Sequence, residues 1–419
     1  MSNVPEDKLI VHYDEEFKNK FIEAIESLYD KLEGFEFNYT VDELKESVID
    51  DERFPIDSDS VAFVIDPAET CEIFCDAIWD WEDAMEVRQI DIISLLEDLS
   101  IAKLIGNVEY FTPTLYIHKV SVTTNSPDSY SKFFSLDTSV ENITLEYSSD
   151  ESFHFSYLVS KLGFKELVLF NSYVYIRGEN LTLEHCRKVY KSYVFEANAV
   201  ANVTIKSDPN IAYDMEDHLE EDDSDFEITE LKRPLIICDD TDKVIELYNK
   251  AICCDDDEVT ILFYCKVIEF ISETVVREKV TTEARKVLLS NKALTPNANF
   301  VKELQELFKD HSYQKDADSL KLTVQTCGYF TDLELLTPEF IQQKVKTERK
   351  KGGNWAALGV IADSITAVRN KIAHAKSNYR LTGKEIPEEQ YPQLSELLRV
   401  LAQQCIRWYS AQSPLARVK

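Results

Sequence analysis

Glycine and proline are scarce in this chain of 419 residues, which contains 9 and 12 of them. So few leave little room for low-complexity linkers, and a hydrophobic content of 44% excludes a disordered chain. No apolar run reaches the roughly 18 residues of a membrane span, and residues 1–9 are acidic without an apolar leader. We therefore expect a folded cytoplasmic protein of two or three domains, outside the membrane.

The motifs of several large enzyme classes are also missing. The sequence has no Walker A loop, no GxGxxG after a strand, no HExxH and no GxSxG. These absences argue against nucleotide kinases, dinucleotide enzymes, zincins and α/β-hydrolases. The nine cysteines include no recurring CxxC pair, and no histidine lies at zinc-finger spacing. We therefore predict reduced thiols, no metal site and no cofactor.

Acidic residues greatly outnumber basic ones, but only in one part of the chain. The whole sequence has 77 aspartates and glutamates against 45 lysines and arginines, a net charge of -32. Residues 241–419 contain 26 basic and 24 acidic side chains, so the net charge is +2 there and -34 over residues 1–240. An anionic substrate would be repelled by the first part and not by the second.

Helical and strand-like patterns alternate over residues 1–210. Helices are predicted where apolar residues recur at helical spacing, at 15–33, 68–85, 90–105 and 182–201. The last of these is expected to bury Cys186, Val189, Tyr190, Tyr193 and Val194. Strands are predicted in short runs rich in β-branched and aromatic residues, at 115–123, 143–147, 167–170 and 174–177. Together these patterns predict an acidic α+β domain at 1–210.

An acidic segment follows this domain. Residues 214–230 are dominated by aspartate and glutamate and have few apolar side chains to bury, which is typical of a solvated linker. We place that linker at 211–240. The functional alternative is an acidic mimic of RNA that shields a basic site on the same chain or on a partner.

Almost the whole of residues 241–419 has a helical pattern. Helices are predicted at 243–251, 258–280, 283–289, 299–309, 317–329, 338–348, 355–374 and 388–410. A basic stretch with two adjacent glycines, residues 349–354, interrupts them. We expect an all-α helical bundle.

One short segment of this helical part combines an arginine, an asparagine and a histidine. Arg369, Asn370 and His374 lie near the end of a predicted helix, in the part of the chain that is not acidic. The segment resembles the motif of the HEPN superfamily, in which an arginine, often followed by asparagine, precedes a histidine by four to six intervening residues. Residues 262–269 also resemble the aromatic-rich run, ending in a glutamate, of an upstream helix in that family.

The resemblance covers roughly residues 240–412 and implies an HEPN-like helical domain at 241–419. It further implies a metal-independent endoribonuclease that acts as a homodimer, with the motifs of two protomers facing one cleft. The products implied are a 2′,3′-cyclic phosphate and a 5′-hydroxyl. The setting implied is a prokaryotic antiviral defence or toxin system of the abortive-infection kind, with RNA, and tRNA in particular, as the substrate.

The residue types suit RNA cleavage. Histidine moves protons near neutral pH, and the planar guanidinium of Arg369 is suited to stabilise charge on a phosphate. Asn370 lies four positions before His374, on one helical face, where it could orient the imidazole or a phosphate oxygen. Arg369 and His374 are about 140° apart around an ideal helix, which also favours a site composed from two protomers.

Further candidates are ranked below these residues. Glu269 is expected either to pair with Arg369 or to be an ordinary polar helix residue. The predicted RNA-binding side chains, for which a solvated basic surface is the alternative, are Lys346, Arg349, Lys350, Lys351 and Lys371. Three histidines lack evident companions and are expected to be structural or exposed, namely His118, His154 and His311.

Three functions compete. The first is the endoribonuclease, regulated by the acidic N-terminal domain. The second is a non-catalytic HEPN-like dimerisation or adaptor protein, whose acidic surface binds a basic regulatory partner. The third, an acidic inhibitor that mimics DNA, explains the charge but leaves the helical part unexplained.

Overall fold

The computed structural model describes residues 9–12, 53–56, 101–106, 108–124, 138–140, 142–148, 172–209, 233–312, 316–373 and 381–418. Several predicted features lie outside these residues: the helices at 15–33 and 68–85, the strand at 167–170, the acidic segment at 214–230, and His154 and His374.

The chain divides into two compact units. Unit 1 comprises Met1–Tyr190 and Ile205–Arg233, and unit 2 comprises Lys191–Thr204 and Pro234–Lys419. The division falls within a helix, Leu183–Ala201 (α1). The boundaries predicted at residues 210 and 240 stay predictions.

Unit 1 contains a seven-stranded sheet in its described residues. Its strands are Lys103–Ile105 (β3), Glu109–Phe111 (β4), Leu115–Thr124 (β5), Thr138–Val140 (β6), Ile143–Ser148 (β7), Ser172–Arg177 (β8) and Val203–Ser207 (β9). The order is β3-β4-β5-β8-β7-β6, all antiparallel, and β9 also pairs with β5. Two further strands, Leu9–His12 (β1) and Arg53–Ile56 (β2), form a separate antiparallel pair.

Aromatic and β-branched residues account for the centre of this sheet. Tyr116 and Ile117 on β5 and Tyr173 and Val174 on β8 are fully buried. The register sets Tyr116 opposite Ile176, so that large apolar side chains pack across the two strands. The strands predicted at 115–123, 143–147 and 174–177 are confirmed.

The prediction of a helix at 90–105 is wrong for its C-terminal residues. Residues 103–105 form β3, which pairs with β4 so that Lys103 lies opposite Phe111. Gly106 follows with φ +60°, a left-handed conformation that turns the chain towards β4. Strand pairing therefore overrides the helical spacing of the apolar residues here.

Helix α1 confirms the pattern predicted at 182–201. Thr182 precedes the helix, and its Oγ1 accepts a hydrogen bond of 3.3 Å from the backbone N–H of His185. The five residues predicted to be buried all are: Cys186, Val189, Tyr190, Tyr193 and Val194.

Unit 2 is built from helices. They are Asp242–Ile252 (α2), Asp257–Leu288 (α3), Ala298–Ser312 (α4), Asp316–Cys327 (α5), Phe330–Leu336 (α6), Glu339–Ala373 (α7) and Tyr391–Ser410 (α8). Short 3₁₀ turns occupy Asp239–Thr241, Asn291–Ala293 and Glu388–Gln390. One apolar core joins α2, α3, α5, α6, α7 and α8, and α3 packs against α8, α5, α2 and α7.

Two predictions for unit 2 need correction. The helices predicted at 258–280 and 283–289 are one helix, α3, because neither glycine nor proline interrupts the sequence between them. The helix predicted at 317–329 ends at Cys327, and α6 was not predicted. Gly328 separates α5 from α6, and a Cβ atom there would lie 2.5 Å from the carbonyl oxygen of Val324.

Helix α7 is interrupted where the sequence predicted a break. Gly352 (φ -136°, ψ 19°) and Gly353 (φ 68°, ψ -163°) are non-helical, so the axis changes direction between Lys351 and Asn354. The Gly353 conformation is accessible to glycine and strongly disfavoured for other residues.

We expect Gly353→Ala to lower the free energy of unfolding by about 1–3 kcal/mol, because alanine is strained at this φ and ψ. Lys351→Ala, at an exposed position of the same helix, is the matched control and should change it by less than about 0.5 kcal/mol. Urea unfolding followed by circular dichroism measures both. Equal stabilities of the two variants would contradict the expectation.

The described residues thus combine strands and a helix in the N-terminal part with a helical C-terminal region, as predicted, and the structure adds that the sheet is antiparallel. Among the helices that these residues form, none has the length and apolar character needed to span a membrane.

Candidate functional site

Arg369 lies in the last part of α7, held there by the apolar residues around it. Ile365 and Val368 are buried in the core of unit 2, which leaves the side chain of Arg369 at the edge of the core, 28% exposed. One turn of helix remains before α7 ends at Ala373. The guanidinium is therefore fixed near the helix terminus while still open to solvent.

Two acceptors orient this guanidinium. Nη2 of Arg369 lies 2.9 Å from Oε1 of Glu269 on α3, and Nη1 donates a hydrogen bond of 3.1 Å to Oδ1 of Asn370. The side chain of Glu269 is 33% exposed, so the ion pair that joins the two helices is partly open to solvent. Of the two alternatives for Glu269, the structure shows the pair with Arg369.

Cys265 lies one turn before Glu269 on α3 and is buried beneath the pair. Burial, together with the charge of Glu269, raises the pKa of the Cys265 thiol to about 12, and Arg369 opposes the rise. The thiol is therefore neutral at physiological pH and acts as apolar packing below the charged pair.

The pair leaves donors on the guanidinium available. Arginine carries five N–H groups, and the contacts found among the described residues engage one N–H on Nη1 and one on Nη2. A phosphate oxygen could accept hydrogen bonds from the others at the exposed edge. His374 follows Ala373 in the sequence and lies outside the described residues, so its role beside Arg369 stays a prediction.

Three of the five predicted RNA-binding residues have acidic partners. Arg349 contacts both carboxylate oxygens of Glu334 at 2.7 Å. Lys351 lies 2.7 Å from Glu348, and Lys371 lies 2.7 Å from Glu388. The hydrogen bond to Glu388 raises the pKa of Lys371. These ion pairs lower the positive charge that each side chain offers to RNA.

The other two, Lys346 and Lys350, are exposed, and no ion pair is found for them within the described residues. They lie before the glycines of α7, whereas Arg369 lies 16 positions beyond Gly353, about 24 Å along a straight helix. No contact between either lysine and Arg369 is found among the described residues.

A charged cluster that sequence reasoning missed lies further along α7. Asp363 accepts hydrogen bonds of 3.0 Å from Lys321 on α5 and from Lys384. Burial tends to raise the pKa of Asp363, but the two lysines outweigh it and the pKa lies below its ordinary value. Because the three residues lie far apart in the sequence, no sequence pattern indicated this cluster.

No group of three or more metal-ligating side chains is found in the described part of the chain. Comparison of the chain with protein-family models, with curated proteins and with solved structures gives no match.

Proposed function

We propose that unit 2 is an HEPN-like metal-independent endoribonuclease, with Arg369 and His374 as its catalytic residues. The observation that carries the proposal is the orientation of Arg369 by Glu269 and Asn370 in the last turn of α7. This helix ends at Ala373, the residue before His374 in the sequence. In the resembling family these residue types form the cleaving site. Unit 1 is then the regulatory part, because its acidic surface repels RNA.

The chemistry requires one proton shuttle and one cationic group. The ribose 2′-oxygen attacks the adjacent phosphorus, its proton is removed, and the 5′-oxygen leaves with a proton. His374 serves the proton transfers, since histidine is the side chain that moves protons near neutral pH. Arg369 stabilises the negative charge that develops on the phosphate oxygens. The products are a 2′,3′-cyclic phosphate and a 5′-hydroxyl.

The site is composed from two protomers in this proposal. This follows the arrangement that the family resemblance implies, in which a homodimer brings the arginine of one copy to the histidine of the other. The substrate is RNA, such as tRNA, cut in an antiviral defence or toxin system.

The test is cleavage of total RNA and of a tRNA pool in EDTA. We expect the wild type to cut in the chelator and His374→Ala to lose at least about 100-fold in rate. Lys302→Ala, an exposed position on α4, is the control and should cut like the wild type. Equal rates for His374→Ala and the wild type would overturn the mechanism.

The second candidate is a non-catalytic dimeric adaptor, and the Glu269–Arg369 pair is the observation that favours it, since such a pair can simply join α3 to α7. A protein that is dimeric by light scattering but cuts no RNA would support it.

A further inference from the structure

A chain of hydrogen bonds in unit 1 leads from the surface to a buried carboxylate. Ser207 Oγ lies 2.7 Å from Nε2 of His118, and Nδ1 of that ring lies 2.8 Å from the Tyr116 hydroxyl. The Tyr116 hydroxyl donates to Oε1 of Glu109 over 2.8 Å. Arg187 donates to both oxygens of Glu109. No companion was predicted for His118, although Tyr116 is two positions away; Ser207 is 89 positions away and is brought to the ring by strand pairing.

The direction of these hydrogen bonds follows from the number of protons. Tyr116 has one hydroxyl proton and gives it to Glu109, so its oxygen must accept the N–H at Nδ1 of His118. A neutral imidazole has one N–H, which leaves Nε2 as a bare acceptor facing the hydroxyl of Ser207. This is the tautomer that a general base needs in order to take a proton from a serine.

The surroundings hold the ring in this state. His118 is 5% exposed and stacks on Tyr190 with 3.8 Å between ring centroids. Burial lowers the pKa of His118 to about 4, so the ring is neutral at physiological pH. Burial tends to raise the pKa of Glu109, but the hydrogen bonds from Arg187 and Tyr116 outweigh it, so this carboxylate is ionised.

Ser207 differs from the rest of the chain of hydrogen bonds because it is exposed. It is the last residue of β9, and solvent reaches its side chain while the base behind it is buried. Ser207 is therefore the member of the network that lies nearest to solvent.

We propose that Ser207 is a nucleophile activated by His118, and that it accepts acyl groups from small, neutral carboxylic esters. Oγ attacks the carbonyl carbon while its proton passes to Nε2 of His118. The imidazolium then protonates the leaving alkoxide, which gives an acyl-serine and an alcohol. Water hydrolyses the acyl-serine by the same proton route to the acid. The net charge of -34 over residues 1–240 disfavours anionic phosphate esters.

The experiment uses the full chain in its native state with a fluorophosphonate probe and with p-nitrophenyl butyrate. Peptide mass spectrometry should map the probe to Ser207, and Ser207→Ala should lower labelling and ester cleavage at least about tenfold. His118→Gln should slow acylation about 100-fold. Thr144→Ala removes an exposed hydroxyl from β7 and should react like the wild type.

Tyr116 is a positioning residue, and a spectroscopic readout separates that role from a purely structural one. In Tyr116→Phe, the N–H at Nδ1 of His118 loses its acceptor and faces Oε1 of Glu109, 3.9 Å away. The ¹⁵N chemical shift of Nδ1 should report this change, and acylation should slow. Three results would overturn the proposal: an unlabelled native wild type, equal labelling of Ser207→Ala, or equal labelling after heat denaturation.

Discussion

Replacing Arg407 by alanine is expected to lower the free energy of unfolding by about 3–5 kcal/mol. The side chain of Glu196 is fully buried, and Arg407 meets it with two parallel hydrogen bonds of 2.8 and 2.7 Å. The guanidinium also covers the ring of Phe195, 5.3 Å from its centroid. Alanine would leave a buried carboxylate without a partner, which costs far more than the loss of an exposed ion pair.

Lys250→Ala is the control for this prediction. Lys250 forms an exposed ion pair with Glu246 within α2, and its loss should change stability by less than about 0.5 kcal/mol. Urea unfolding followed by circular dichroism gives both values. A loss of less than about 1 kcal/mol for Arg407→Ala would show that Glu196 finds another partner or water.

Arg369→Lys is expected to reduce RNA cleavage about 100-fold, with a change in unfolding free energy below about 1 kcal/mol. Lysine keeps the charge but offers a point charge on a flexible stem, so it cannot hold Glu269 and a phosphate oxygen in one plane. Single-turnover cleavage of a labelled RNA and urea unfolding separate the two effects.

The matched control is Arg285→Lys, the same substitution at an exposed position of α3, which should cut RNA at the wild-type rate. Glu269→Gln tests the positioning of the guanidinium. If orientation by Glu269 matters, Glu269→Gln lowers the rate of RNA cleavage when Arg369 is present. The same substitution has little further effect on the rate in the Arg369→Lys background. Full activity of Arg369→Lys would remove the arginine from the mechanism.

Most helices of unit 2 and the central strands of unit 1 were predictable from the sequence. Within each of these elements the apolar residues recur at the spacing typical of a helix or of a strand. Residues 103–105 were not predictable in this way, since the partner strand β4, rather than local spacing, decides their conformation. Helix α6, with 7 residues, is too short for its period to stand out.

The candidate site was also predictable only in part. Arg369 and Asn370 were found by a motif, and Glu269 by its place in an aromatic-rich helix. The partners of Arg349 and Lys371 could not be found in this way, because Glu334 and Glu388 are brought to them by packing between helices. The hydrogen-bonded chain behind Ser207 escaped for the same reason, since it joins three strands and a helix.

Helix α1 bears on how this protein could have been assembled in evolution. Its second half supplies Phe195 to the core of unit 2, Glu196 to Arg407, and Asn198 to the hydroxyl of Tyr248 at 2.5 Å. A gene segment that began after this helix would encode helices that lack one core residue and the carbonyl and carboxylate acceptors of Tyr248 and Arg407. Recombination at the acidic segment would therefore not yield an independent helical module, and the two units are expected to be inherited together.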